Sequence, residues 1–498
     1  MKTKYLFSIK FPQKLIVAAI LLVALLMRWF LIFQGGQYYF SDEQRYLTSR
    51  EVVQYLFQGQ PNEAIFQLFT LPEHLGYKIL GIIPAFLEHF IGSSLVLPAM
   101  FFSLFSVLNL YLIFLLSQRI SGESNEAFFA LMIAVLSQSL FYYSRHLMPY
   151  DVAMAFGLLA LYVGLSNRVA ARFSLICGIC CVGCFVTYNG YWTLVGLVAL
   201  IHVLRNSKSL VEIVRKGFFL TVGFFLPLLG LIVLANQAGI NLLTEYRNFA
   251  QTITQGYFDE GWALPFAYFW HAEHFLFVIL SLLAIFAVLN LKKYQTESVI
   301  LWGGGILFIY LCLVIPSIFL HKFVVYGRLA RQLMPFLILL AASGLMKISR
   351  SELRSYKLTS FIVGLLFVQA IWNFNISYNI AYPKDFVRDV QAQYKDFVFS
   401  PKRFAFGAPL ICENHGYGMQ NAKYFLAAPE TTHPIPSIIL MSALHPVNFV
   451  PYQYEGYTPD QRQAFRNAQL YMVFFRIKPN FASESELREM GIQNCFVN

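Results

Sequence analysis

Apolar stretches close to 20 residues long recur along the first three quarters of the chain, at 14–34, 95–117, 126–144, 150–166, 173–189, 190–204, 217–235, 273–291, 298–320, 330–346 and 358–380. Within each stretch apolar residues predominate and charges are rare, and the lengths fall in the range a bilayer core needs, so the pattern predicts eleven membrane-spanning helices. The first stretch is longer than the apolar core of a signal peptide and is followed by further spans, so it reads as a retained helix. Between the stretches most turns are short. Three segments are long and polar: 35–94, 236–272 and 382–498.

The first long segment carries helical signals of its own. In SDEQRYLTSREVVQYLF, Ser41 is an N-cap with acids in the first turn, and Tyr46, Val53, Leu56 and Phe57 recur at helical spacing. This predicts an amphipathic helix on the membrane surface, with a second between Leu75 and Phe90. The last segment alternates strand-like runs (Arg403–Cys412, Gln469–Lys478) with helix-like ones at 417–427, 459–468 and 484–490. The expected fold is therefore an α-helical polytopic membrane domain over 1–381, followed by a small α/β domain over 382–498. No internal repeat is visible.

Composition excludes a soluble protein of 498 residues. Hydrophobic residues make up 57%, charged residues 13%, and mean hydropathy is +0.56; soluble domains carry about 25% charged residues. The net charge of +11 does not point to nucleic acid, because the basic residues sit in short turns rather than in a patch or recognition motif. They obey the positive-inside rule instead. With the N-terminus in the cytoplasm, the inner segments hold seventeen Lys and Arg against five acids, which leaves 35–94, 236–272 and the C-terminal domain outside. The lone N-x-S/T site, Asn375-Ile376-Ser377, abuts a span, which favours a bacterial inner membrane. Cys177, Cys180, Cys181 and Cys184 look like a metal cluster on paper, but all lie in one apolar run, where Cys acts as a small residue that lets helices approach. Cys412 and Cys495 share the outer domain, where a disulfide and two free thiols are about equally natural.

Ionisable residues cluster at the outer boundary. Asp42 and Glu43 follow the first span; such a pair can serve as a general base, as metal ligands, or as the charged first turn of a surface helix. Arg145, His146 and Asp151 crowd one tight outer turn, and Lys322, Arg328 and Arg331 lie between the ninth and tenth spans. Arg grips phosphate through two hydrogen bonds, and Asp binds hard cations. Positive charge on the face that topology leaves poor in it points to an anionic ligand.

These residues, in this order, resemble the C-type membrane glycosyltransferases, in particular bacterial relatives of the protein O-mannosyltransferases and the lipid A aminoarabinose transferase. The resemblance covers about 30–380 and rests on Asp42-Glu43 followed by Arg45-Tyr46, on Leu75-Gly76-Tyr77, on Ser144-Arg145 with Pro149 and Asp151, and on the run from Arg328 to Pro335. It implies transfer of a sugar from a polyprenyl-phosphate carrier to a lipid, glycan or protein hydroxyl at the outer leaflet. It also implies Asp42, supported by Glu43, as the catalytic base, and Arg45, Arg145, Lys322, Arg328 and Arg331 as the grip on the donor phosphate. Asp151 is the acid that the family often ties to a divalent metal ion, the one cofactor implied. The chain departs from the family in lacking a His ahead of Pro265-Phe266, so His271 and His274 stand as substitutes, read against simple membrane anchors. It also lacks a basic residue at Thr187-Tyr188-Asn189.

The residues suit that chemistry on their own terms. A sugar phosphate carries a good leaving group, so one base and several cations suffice, with inversion at the anomeric carbon. The alternative is a transporter or flippase of lipid-linked sugars, which would place ionisable residues near mid-membrane. Here Arg28 is the nearest exception, and from its position it is expected to snorkel outward.

Overall fold

In the computed structural model, the described residues are 11–33, 45–166 apart from 71, 93 and 95, 171–254 apart from 206, 264–290, 296–320, 327–350, 354–374 and three short strands beyond them. The first part is helical throughout: α1 (Phe11–Phe33), α2 (Arg45–Phe57), α3 (Pro61–Phe69), α4 (Leu75–Ile91), α5 (Val96–Ser121), α6 (Ser124–Leu136), α7 (Gln138–Phe141), α8 (Tyr150–Gly164) and α9 (Ala171–Thr187). There follow α10 (Trp192–Leu204), α11 (Leu210–Gln237), α12 (Leu242–Thr254), α13 (Leu264–Glu273), α14 (Phe275–Leu289), α15 (Thr296–Leu320), α16 (Gly327–Ala330), α17 (Met334–Arg350) and α18 (Arg354–Phe374). Among the described residues, five helices, at 13–33, 96–121, 210–237, 297–316 and 331–350, are long and apolar enough to cross a membrane. The other six apolar stretches carry shorter apolar helices.

Burial sorts these helices. The apolar window of α17 is 94% buried and that of α11 only 11%. The first is the centre of the bundle; the second, with Leu210, Val211, Phe218 and Leu226 exposed, presents the kind of surface that lipid covers. Small residues set the closest approach. At Gly178 of α9 an added Cβ would lie 2.2 Å from the Leu220 carbonyl oxygen, and at Gly223 of α11 the same distance from that of Leu175, so the two backbones touch where no side chain intervenes. The four cysteines of α9 are free thiols and buried. Cys177 donates to the Ala160 carbonyl at 3.4 Å, in keeping with their reading as compact packing residues.

Among its described residues, the segment after α1 folds as three helices rather than two. α2 buries Tyr46, Ser49, Val52 and Val53 against α4, while Leu56 and Phe57 stay exposed. A carboxylate locks the pair: Glu88 of α4 accepts from Tyr46 Oη at 2.7 Å and from Arg50 Nε and Nη2 at 2.7 and 2.8 Å. Arg28 corrects its expectation. It is 1% exposed and donates to Ser106 Oγ at 2.9 Å and to the Ala24 carbonyl at 3.0 Å, with Phe141 under its guanidinium at 4.8 Å. Partners inside the bundle satisfy it, so it has no need to reach the interface.

Beyond residue 374 the described elements are β1 (Tyr424–Leu426), β2 (Ile438–Leu440) and β3 (Arg476–Ile477), antiparallel in the order β1-β2-β3. β3 falls inside the strand-like run 469–478. β1 overturns the helix expected at the end of 417–427: Tyr424, Phe425 and Leu426 pair with Leu440, Ile439 and Ile438, and pairing with a following strand outweighs local helical spacing. Cys412 and Cys495 lie outside the described residues.

Candidate active site

The apolar run 126–144, expected to be one span, is broken. Ser137 leaves α6 in an extended conformation (φ −74°, ψ 122°), and the chain restarts as α7 and a 3-10 turn over Tyr142–Arg145. A break inside an apolar span frees backbone groups that lipid cannot satisfy. Here they are taken up by side chains from elsewhere. The Glu273 carboxylate accepts from Ser137 Oγ (2.7 Å), Gln138 N (2.9 Å) and Ser139 N (2.7 Å). On the carbonyl side, Ser139 O accepts from Arg331 Nε at 2.6 Å, and Leu140 O accepts from Ser106 Oγ at 3.1 Å.

Arg331 is the centre of this end. It is 0% exposed, and its Nη2 forms a salt bridge to Asp151 Oδ1, a carboxylate 180 residues away in sequence and itself 4% exposed. Tyr143 lies under the guanidinium at 5.3 Å, and Tyr191 and Tyr268 stand within its electrostatic reach. Asp151 opens α8, and its backbone carbonyl is held by Asn109 Nδ2 at 2.9 Å. The turn bearing Arg331 is fixed by its neighbour: Gln332 Oε1 accepts from Thr193 Oγ1 at 2.8 Å, and its Nε2 donates to the Gly190 and Leu329 carbonyls at 3.1 and 3.0 Å.

Aromatic rings connect this pair to the surface helices. Tyr143 packs edge-on to Tyr150 (4.6 Å between centroids), Tyr150 to Tyr188 (4.9 Å), and Tyr188 lies 5.4 Å from His74. His74 enters α4 with a left-handed backbone, φ 57°. Gly76, two residues on, explains why the motif Leu75-Gly76-Tyr77 needs its glycine: an added Cβ would stand 2.4 Å from Thr187 Oγ1 and 3.0 Å from the Thr187 nitrogen, and backbone cannot give way. Close by, Arg45 Nη2 meets Glu73 Oε2 at 2.5 Å, and Lys78 Nζ donates to the Leu68 carbonyl at 2.8 Å. Burial, and after it the Arg45 charge, pull the Lys78 ammonium down to about 7, against the opposing pull of Glu73.

The sequence-selected residues thus divide. Arg45, Asp151 and Arg331 belong to one continuous set of contacts. Asp42, Glu43 and Lys322 lie outside the described residues, as do the side chains of Arg145, Arg328 and His271, whose backbones sit in the 3-10 turn, in α16 and in α13. His274 caps α14 with φ 48°. Asp151 and Arg331, expected as a metal ligand and a phosphate grip, are each other's partners. Among the described residues no group of three His, Cys, Asp or Glu could hold a metal ion. Glu273, Glu73, His74 and Lys78 escaped the sequence reading, and Gln332 entered it only as part of the run from Arg328 to Pro335. Glu273 and His74 stand at edges of apolar runs, where a lone polar residue is unremarkable; the left-handed start of α4 leaves no trace in composition.

No family model matches the sequence, and no curated protein matches it either. Solved structures similar to it include ArnT from Cupriavidus metallidurans bound to undecaprenyl phosphate (14% identity, TM-score 0.46, covering 69% of this chain and 62% of that one). They also include the archaeal oligosaccharyltransferase AglB from Archaeoglobus fulgidus in complex with an inhibitory peptide and a dolichol-phosphate (12% identity, TM-score 0.47, covering 95% and 65%). The same archaeal enzyme with Zn and sulfate gives 12% identity and a TM-score of 0.42, covering 93% and 62%. The chain therefore spans less than two thirds of the length of each. These similar structures are of the C-type glycosyltransferase superfamily.

Proposed function

We propose that the chain is an inverting glycosyltransferase of the outer face of a bacterial inner membrane, moving a sugar from a polyprenyl-phosphate donor to a hydroxyl of a lipid, glycan or protein acceptor. The observation that carries this is convergence. Arg45, the Leu75-Gly76-Tyr77 turn, Tyr143–Asp151 and Arg331–Gln332, each part of a motif that resembles the family, are contiguous at one end of the bundle although they span most of the membrane domain in sequence. In the reaction, Asp42 accepts the proton of the incoming hydroxyl, with Glu43 beside it. The hydroxyl oxygen bonds to the anomeric carbon from the face opposite the phosphate, and the bond from that carbon to the phosphate oxygen breaks. Polyprenyl phosphate departs with the electron pair, its charge met by Arg45, Arg145, Lys322 and Arg328. Arg331, tied to Asp151, adds its positive charge from the buried layer beneath.

The described residues do not fit a divalent ion at Asp151, because Arg331 already occupies the carboxylate, and no step is drawn through one. The test is sugar transfer from a polyprenyl-phosphate donor in reconstituted vesicles. Asp42→Asn keeps the shape but not the basicity and is expected to lower turnover about a hundredfold or more. Folding is expected to survive, since Asp42 precedes α2 in sequence and an acid near a helix start contributes under ~1 kcal/mol to it. Glu63→Gln, at the exposed start of α3, is the control with near-normal turnover. Near-normal turnover in Asp42→Asn removes Asp42 as the base.

A further inference from the structure

Burying an ionised carboxylate is expensive, and a continuous helix over 126–144 would need no carboxylate at all. The fold nevertheless breaks the helix at Ser137 and brings in Glu273, 0% exposed and over 130 residues away, to cap the restart. What the break achieves is seen one peptide further on, at the Ser139 carbonyl. A helix interior turns its carbonyls onto its own N–H groups; the broken one turns Ser139 O sideways to Arg331 Nε at 2.6 Å. Ser139 is thus held at both ends, its N–H by Glu273 and its carbonyl by Arg331, and Arg331 in turn holds Asp151. Tyr143, the ring under the Arg331 guanidinium, follows directly from the restarted helix.

We propose that Glu273 is a positioning residue of the active site, acting through the backbone of Ser139 to set the place of the Arg331 guanidinium and, through it, Asp151. This rests on the glycosyltransferase reading for its catalytic consequence but not for its structural one. Glu273→Gln preserves the shape and the acceptor for Ser139 N, but it sets an amide N–H₂ against the N–H of Gln138, donor against donor. On the proposed reaction the charge of Arg331 counts most as negative charge grows on the departing phosphate, so misplacing it is expected to show in turnover rather than in donor binding.

The experiment compares the full-length wild type with Glu273→Gln in detergent and vesicles. It reads kcat and donor KM per folded molecule, and hydrogen exchange along the chain. The expected result is kcat down about tenfold or more with donor KM within about twofold, together with faster exchange both in 137–149 and in the distant turn 327–333. Exchange confined to 137–149, or an unchanged kcat in an active preparation, overturns it. Should Glu273→Gln fail to fold, Glu273→Asp retains the charge one methylene short and is read against the same two criteria. If the wild type itself transfers no sugar, the function fails on that ground, while exchange at 327–333 still decides whether Glu273 governs the Arg331 turn.

Discussion

At one end of the helix bundle charges hold helix ends together; at the other they are buried among tyrosines. At the first end Lys347 donates to the Ala287 carbonyl at 2.9 Å at the close of α14, and Lys216 donates to the Arg205 carbonyl at 2.8 Å just past α10. Arg205 meets Glu297 at 2.6 Å, Arg350 meets Glu123 at 2.8 Å, and Arg119 lies 3.8 Å over the Tyr162 ring. These pairs satisfy helix C-terminal carbonyls or bridge partly exposed acids, which is what a scaffold requires. At the second end, Arg331 and Asp151 are withdrawn from water into a layer of Tyr143, Tyr150, Tyr188 and Tyr191, on a helix break held open by Glu273. Stability alone does not favour that arrangement, since apolar residues of equal volume would serve as well or better. Charge is buried at both ends, since Glu126, Lys216 and Lys347 lie inside the first; what sets the second apart is a salt bridge closed within the protein beside a broken helix, and that is the end the proposed function assigns to catalysis.

Breaking the buried pair from one side is expected to have the largest effect. Asp151→Asn leaves Arg331 buried without its carboxylate, a loss of about 3–5 kcal/mol, seen as a lower melting temperature in detergent and as lost transfer. Adding Arg331→Met removes the stranded charge and is expected to restore much of the stability but not the turnover. Turnover that returns together with stability would make the pair scaffold, like the other end.

The opposite end supplies the converse case. Lys347→Ala strips a donor from the Ala287 carbonyl and is expected to lower stability by about 1–3 kcal/mol. Its kcat per folded molecule should stay at the wild-type value. A fall in kcat without a fall in stability would erase the distinction between the ends.

A further effect is a pH dependence. The folded protein holds Lys78 at about 7, below the ordinary 10.5 that the unfolded chain regains. Between those values the unfolded state binds the extra proton, so stability is lowered below pH 7 and rises as pH climbs from 7 towards 10. Lys78→Met is expected to flatten that slope in thermal unfolding, and Arg45→Gln to move its onset to higher pH. An unchanged slope in Lys78→Met would separate Lys78 from the effect.

Much of this was legible in the sequence, and the parts that were not share a cause. Each of the eleven apolar stretches carries an apolar helix, and α2 and α4 follow the spacing of their apolar residues, because helix formation is local. Asp151 and Arg331 stand out as charges at span ends, yet that they pair with each other is a contact 180 residues long, and no local pattern encodes it. The break at Ser137 escaped notice because a serine within an apolar run is tolerated in helices. Arg28 was misread because its partners Ser106 and Phe141 lie on other helices. β1 was misread because its pairing partner lies outside the window that spacing inspects.

On the proposed function, the buried-charge end transfers a sugar rather than moving a lipid. The direct measurement places purified protein in vesicles with a polyprenyl-phosphate donor labelled in the sugar, and follows both the label and the configuration of its anomeric carbon. Transfer of the label to an acceptor hydroxyl with inverted configuration, matched by release of free polyprenyl phosphate, is the predicted result. Labelled donor crossing from one leaflet to the other with its sugar still attached, and no transfer, would contradict it.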